Sequence, residues 1–299
     1  IITFDMGGTS TDVSHFSGEL EHSFETQLAG VRLRSPILDI HTVAAGGGSI
    51  LHFDGARLRV GPDSAGAAPG PLCYRNGGPL TISDANLMLG KIQADYFPSI
   101  FGQTCDQSLD LPAVQAAFAL LADEIVAKTN SDQSAESVAD GFVKIAVTRM
   151  ANAIKKVSVQ RGHDVSRYVL ACFGGAGGQH ACLIAESLAI GKILIHPLAG
   201  VMSALGIGLA DLLETREMSV NCELTEQAAA NLEVAVRPLI VECKETLIAR
   251  QMRPEQLTVD MKVLLRYENC DFTLTVDWQS AEEMLAQFSR KHVQRYGFL

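Results

Sequence analysis

Residues 5–12 read Asp-Met-Gly-Gly-Thr-Ser-Thr-Asp, and short β-branched and aromatic stretches stand on either side of them. The pattern is a strand, a glycine turn and a returning strand, with an aspartate at each end of the turn. Paired glycines tolerate positive φ and let a ligand approach the main chain, while the hydroxyls of Thr9, Ser10 and Thr11 add donors to amides that can converge on an anion. The loop is not a Walker loop, because no Gly-Lys-Ser/Thr follows. Nor is it a dinucleotide fingerprint, because the next segment is a strand and not a helix. A second glycine run, Phe173-Gly174-Gly175-Ala176-Gly177-Gly178, follows a buried strand over residues 168–172 and precedes a helix over 179–189. A strand-to-helix crossing of this kind lets the adenosine of a nucleotide lie flat against main chain. Two such loops in this order constrain the fold to an α/β nucleotide-binding architecture.

The rest of the chain fits around these loops. Residues 1–26 read as an antiparallel meander whose third strand follows a Ser17-Gly18 turn, and residues 37–43 as one further strand. Asp54-Gly55 marks a hairpin between residues 51–53 and 57–60. Residues 61–78, rich in Gly and Pro, read as a long functional loop. Helical periodicity covers 111–128, with Val114, Phe118, Leu121 and Ile125 on one stripe, and 134–162, which Gly162 is placed to stop. A strand over 192–196 and a small-residue helix over 200–213 close the first region. The second, 214–299, offers a strand near 218–224, a helix over 226–251, a hairpin of 257–267 with 272–278, and a helix over 281–296.

Composition excludes several partner classes. The net charge of −10 over 299 residues, with no run of Lys or Arg, leaves no basic footprint for nucleic acid or an anionic membrane. The 7 cysteines contain no Cys-x-x-Cys pair, so neither a disulfide framework nor a thiolate zinc site is expected, and a reducing cytoplasm fits them. The chain opens without Met on Ile1-Ile2-Thr3-Phe4, which reads as the middle of a sheet and therefore as a piece of a longer protein.

The residue pattern resembles the superfamily of actin, Hsp70 and the sugar and acetate kinases. That superfamily's second phosphate loop is Asp-x-Gly-Gly-x-Thr/Ser-x-Asp between antiparallel strands, and its adenosine loop is a Gly-Gly-Ala turn. Residues 5–12 and 174–176 match these, and the resemblance implies a first phosphate loop upstream. More narrowly, residues 4–14, 42–50 (Thr-Val-Ala-Ala-Gly-Gly-Gly-Ser-Ile), 60–74, 80–90 and 173–181 resemble the hydantoinase A and 5-oxoprolinase family. The implied fold is an actin-like, ribonuclease H-like α/β core with a mixed sheet flanked by helices over residues 1–213, followed by a small α+β portion over 214–299. The implied activity is ATP- and Mg²⁺-dependent ring opening of a cyclic amide such as a hydantoin or 5-oxoproline, with a B-type partner subunit or domain. Acetone carboxylase subunits look similar. The chain departs from the family where Gly178-Gln179-His180 replaces the usual Pro-Leu before the histidine, and where Arg266-Tyr267-Glu268-Asn269-Cys270 replaces Arg-Tyr-x-Gly-Gln.

The site assignment follows. Asp5 is expected to hold Mg²⁺ or its waters, Asp12 to do the same or orient a water, and Asp84 to reach metal or substrate, with an N-cap role as its alternative. Gly7, Gly8, Thr9, Ser10 and Thr11 are expected at the phosphates. Gly174, Gly175, Ala176, Gly177 and His180 are expected at the nucleotide, and Ser49 at the substrate. Cys73 reads as a buried structural thiol. The alternatives on the same scaffold are a small-molecule kinase and a non-enzymatic ATP-switched module.

Overall fold

A computed structural model describes residues 1–18, 20, 22–28, 31–270 and 272–299. In chain order its strands and helices are β1 (Ile2–Met6), β2 (Thr11–His15), β3 (His22–Leu28), β4 (Val31–Leu38), β5 (His41–Val43), β6 (Ser49–Phe53), β7 (Leu58–Ser64), α1 (Ile82–Met88), α2 (Leu111–Thr129), α3 (Ala135–Val157), β8 (Val169–Phe173), α4 (Ala181–Ser187), β9 (Lys192–Ile195), α5 (Met202–Leu209), α6 (Glu226–Ala249), β10 (Lys262–Leu265), β11 (Leu274–Asp277) and α7 (Ala281–Tyr296). They fall into two compact units, Ile1–Gly206 and Ile207–Leu299.

The first unit is organised by a five-stranded sheet in the order β5-β2-β1-β8-β9. β1 runs antiparallel to β2, β2 antiparallel to β5, and β8 and β9 lie parallel to β1. An antiparallel meander extended on its first strand by two parallel strands is the ribonuclease H-like arrangement of an actin-like ATPase half. β1 is central because its alternation is strict: Ile2, Phe4 and Met6 are buried, while Thr3 and Asp5 face the half-exposed side. The long helix α3 packs on β2 and β5 and against α1, α2 and α4. Its Phe142, Met150 and Ile154 join Phe4, Phe118, Leu170 and Ile184 in the core.

Three local expectations change. The third strand of the meander is β5, not β3, because β3 pairs with β4 in a separate two-stranded sheet. The expected strand over 37–43 is split accordingly. A tight turn in which Ile40 N–H donates to the Leu38 carbonyl at 3.0 Å sends the chain from one sheet to the other. A period of two marks a strand but does not say which sheet receives it. Third, α3 ends at Val157, and Gly162, at φ +82°, stops a following 3-10 turn instead. The 51–60 hairpin forms as expected, and the stripe on α2 buries Val114, Phe118 and Ile125 but takes Ala122 in place of Leu121.

In the second unit β10 and β11 pair antiparallel, and α7 starts on a capping box between Ser280 and Glu283. Leu274, Val276, Met284, Phe288 and Ala229 form its core. The expected strand at 218–224 does not form: among the described residues nothing pairs with it, and an apolar stretch without a partner strand has no ladder to join. Among the described residues no helix is long and apolar enough to cross a membrane.

Candidate functional site

The β1–β2 turn is the centre of the site. Gly7 N–H closes it onto the Ser10 carbonyl at 3.1 Å, and Gly8 and Thr9 are exposed at its tip. The carbonyls behind the tip are taken: Gly47 N–H donates to Gly7 at 3.1 Å and Gly48 N–H to Gly8 at 2.6 Å. Among the described residues no protein acceptor takes the amide protons of Gly8, Thr9 and Ser10. The turn therefore holds its carbonyls away and leaves a run of donors for an anion. The 46–48 loop can lie this close because it lacks side chains; a Cβ at Gly46 would fall 2.6 Å from main-chain atoms of Gly8 and Thr9.

The two aspartates meet across the strands. Asp5 and Asp12 are direct partners in the antiparallel register, so their half-buried side chains share one face, with Thr3 and Ser14 beyond them. Like charges placed directly opposite destabilise a sheet. A bound cation would remove that repulsion. Asp12 Oδ1 accepts from the Thr42 hydroxyl at 2.5 Å, and Asp5 Oδ2 from the Ser203 hydroxyl at 2.8 Å. Among the described residues no group of three or more His, Cys, Asp or Glu side chains could cage a metal. One or two carboxylates completed by waters and substrate phosphates are the donor set that suits Mg²⁺, so these residues fit that ion when a nucleotide is bound.

The second glycine loop abuts the first. Ala176 N–H donates to the Met6 carbonyl at 2.9 Å, and Gly174 takes φ +83° in a place where a Cβ would sit 2.4 Å from Asp5 Oδ1. Gly177 is buried with a Cβ position 2.8 Å from Cys172 Sγ, whereas Gly175 and Gly178 are exposed. The loop thus has two glycines for packing and two for the open face.

Besides the buried Ala176 and Gly177 of the loop, four expected site residues turn out to have inward roles. Thr11 is buried and donates its hydroxyl to the Ala45 carbonyl at 2.5 Å, so it anchors the hairpin and does not reach a phosphate. Ser49 is buried and its Oγ accepts from Gly46 N–H at 2.9 Å, which shapes the 46–49 turn and removes it from any substrate surface. Asp84 is fully buried in the first turn of α1. Its carboxylate accepts from Thr81 N–H and Thr81 hydroxyl, both at 2.8 Å, from Cys73 N–H at 2.8 Å and from Leu72 N–H at 3.1 Å. Four donors fill its lone pairs: Asp84 is not the N-cap, which is Thr81, but the N3 residue of the capping box, and the catalytic role is withdrawn.

His180 is the fourth. It lies wholly buried beneath the glycine loop, where Asn86 Nδ2 donates to its Nε2 at 3.1 Å and to Gln179 Oε1 at 2.7 Å. Burial, helped by the Lys91 charge, lowers its pKa to about 4, so the ring is neutral with its proton on Nδ1. Among the described residues His180 Nδ1 and Asn86 Oδ1 have no hydrogen-bond partner. The histidine ties α1 to the loop from below. Cys73 is buried as expected, and burial beside Asp84 pushes its thiol far up. Ser203 escaped sequence reasoning, since a lone serine in a small-residue helix carries no motif and lies 198 positions from Asp5.

The model of the family described as Hydantoinase/oxoprolinase matches residues 1–216. The chain belongs to the hydantoinase/oxoprolinase family. A 5-oxoprolinase of Dictyostelium discoideum is 40% identical over 303 residues, which cover 100% of this chain and 24% of that protein. The chain thus spans about a quarter of the length of such family members. The caprolactamase of Pseudomonas jessenii matches in sequence and in structure. Its alpha subunit is 31% identical over 311 residues, covering 100% of this chain and 43% of the subunit. The crystal structure of the ATP-dependent enzyme superposes at a TM-score of 0.76 with 28% identity, over 99% of this chain and 43% of that one. A nucleotide-free acetone carboxylase shares the fold at a TM-score of 0.67 and 23% identity, over 99% of this chain and 43% of that one.

Proposed function

We propose that residues 1–213 hold ATP for the ring opening of a cyclic amide, within a longer hydantoinase/oxoprolinase-family enzyme. The observation that carries the reading is the pair Asp5 and Asp12, facing each other at the mouth of a glycine turn whose tip amides have no protein acceptor among the described residues. Gly8, Thr9 and Ser10 would donate to the phosphates, and Asp5 and Asp12 would hold Mg²⁺ through its waters. The ion, when bound, supplies neutralisation of phosphate charge. Gly175 and Gly178 would border the adenosine.

A cyclic amide resists hydrolysis because its carbonyl is resonance-stabilised and its nitrogen leaves poorly. Transfer of the γ-phosphoryl group to the amide oxygen, with release of ADP, makes the ring carbon open to water. Attack by one water at that carbon breaks the ring C–N bond and leaves an acyl phosphate, which a second water hydrolyses to the carboxylate and inorganic phosphate. The residues here contribute positioning and charge complementarity, which is most of what phosphoryl transfer requires. The relatives support this substrate class by what they are: one is a 5-oxoprolinase and one an ATP-dependent caprolactamase. The alpha-subunit designation of the caprolactamase relative favours a partner subunit, and we assign a B-type subunit or domain to that role. The dispersed cysteines, with exposed thiols at Cys105, Cys182 and Cys222, fit a reducing cytoplasm.

The test is ADP release by the full-length protein with its partner, scanned over 5-oxoproline, hydantoins and larger lactams. Turnover that depends on one of these rings is expected. A stable phosphorylated product would replace this reading with a kinase, and ATPase driven by unfolded peptide but indifferent to lactams would replace it with a switched module.

A further inference from the structure

Asp5 is held on one side by a segment that no motif marks. A 3-10 turn at Ala199–Val201 leads into α5, and Ser203 stands in the first turn of that helix. The Ala199 carbonyl accepts from Gly174 N–H at 3.0 Å, while the Ser203 hydroxyl donates to Asp5 Oδ2 at 2.8 Å. Asp5 Oδ1 lies against Gly174, close enough that any Cβ there would stand 2.4 Å away. One short segment therefore grips the first glycine of the strand-to-helix loop and one oxygen of the carboxylate, and that same glycine crowds the other oxygen.

We propose that Ser203 is a positioning residue that fixes the rotation of the Asp5 carboxylate for a divalent cation bound with the nucleotide; this rests on the reading of Asp5 given above. A carboxylate free to turn about its Cβ–Cγ bond offers either oxygen to a cation and loses orientational entropy on binding. Here the turn is stopped before the cation arrives. The hydroxyl proton occupies one lone pair of Oδ2 and leaves the remaining ones in fixed directions. The role is specific to direction and not to stability. The contact is exposed, so it adds little to folding, whereas removing a group that orients a metal ligand typically weakens the metal about 10- to 100-fold.

The experiment measures Mn²⁺ binding by electron paramagnetic resonance on the full-length polypeptide in the presence of ADP, alongside thermal melting. Ser203→Ala is expected to weaken Mn²⁺ about tenfold, at the lower end for a group that orients a metal ligand, with little change in melting temperature. Ser203→Thr, which keeps the hydroxyl, is expected to bind as the parent does. Asp5→Asn is the control for the site itself and is expected to lose the ion. If Asp5→Asn loses Mn²⁺ while Ser203→Ala binds it as tightly as the parent, the Ser203 assignment is overturned and the site reading stands. A threonine variant as weak as the alanine one overturns it too, because the hydroxyl is then not the cause. Retention of Mn²⁺ by Asp5→Asn overturns both.

Discussion

Gly46→Ala is the sharpest probe of the packing behind the phosphate turn. The added methyl carbon would lie 2.6 Å from the carbonyl carbon and oxygen of Gly8 and 2.6 Å from the carbonyl carbon of Thr9. Carbon atoms in contact sit about 3.5–4.0 Å apart, so the two loops must separate by about 1 Å. All three neighbours are main chain, so no side-chain rotation relieves the clash. The hydrogen bond from Gly48 N–H to the Gly8 carbonyl, 2.6 Å long, is the first that would stretch. Forced overpacking costs about 1–3 kcal/mol, and at about 2–4 °C per kcal/mol for a unit of this size the melting temperature should fall by about 2–12 °C. Displaced donors lose charge-assisted hydrogen bonds of about 1.5–3 kcal/mol each, so the loss of one or two should also weaken nucleotide about 100-fold. With ADP at 100 times the parent dissociation constant, the parent gains about 2.7 kcal/mol from the ligand and the variant only about 0.4 kcal/mol. The assay is thermal melting of the full-length protein with and without ADP, using Gly191→Ala as control, since a Cβ at Gly191 meets nothing within 4 Å. If Gly46→Ala melts with the control and shows the same ADP shift, the account of how the 46–48 loop supports the turn is refuted.

Three further outcomes are expected. Asp84→Ala leaves the amides of Thr81, Leu72 and Cys73 without their acceptor and should cost about 3–5 kcal/mol in urea unfolding; loss of nucleotide turnover in a variant of parental stability would restore the catalytic reading instead. His180 is neutral when folded, with a pKa of about 4, against about 6.5 unfolded, so the unfolded chain binds the extra proton between these values. Its share of stability is present above pH 6.5 and is lost as pH falls toward 4, by about 3 kcal/mol in all. Urea unfolding of parent and His180→Gln across pH 4–7 should therefore show a difference that shrinks with falling pH; a constant difference would count against it. Under native conditions a thiol reagent read by mass spectrometry should label exposed Cys105, Cys182 and Cys222 and spare buried Cys73 and Cys172 until the chain unfolds.

The legible parts of this protein are those written in local pattern. Strict alternation in β1 and β2 and the glycine turn between them predicted the central hairpin. The Asp54-Gly55 turn predicted the β6–β7 pair, and α7 runs over residues 281–296 as its periodicity required. Gly7, Gly8, Thr9 and Ser10 stand at an open turn, and Asp5 and Asp12 stand beside it on one face. What failed, failed at long range. The residue types at Thr11, Ser49, Asp84 and His180 suit ligand contact and inward hydrogen bonding equally, and only their neighbours decide between the two. The Asp-x-Asn pair at 84 and 86 shows this best, because one carboxylate served Thr81, Leu72 and Cys73, residues that no motif groups together.

The sequence alone determined the hairpin, the two glycine loops, the family and the α/β class, because each depends on residues close in the chain or on strings long enough to be specific. Only the tertiary structure decided that the 46–48 loop seals the back of the turn, that β3 leaves the sheet β5 joins, and that Ser203 reaches Asp5. The physical reason is the same in all three cases. Strand pairing and hydrogen bonding between segments many residues apart are set by which surfaces the whole fold buries together. A local pattern states that a residue can donate, accept or bury itself, and the fold supplies the partner.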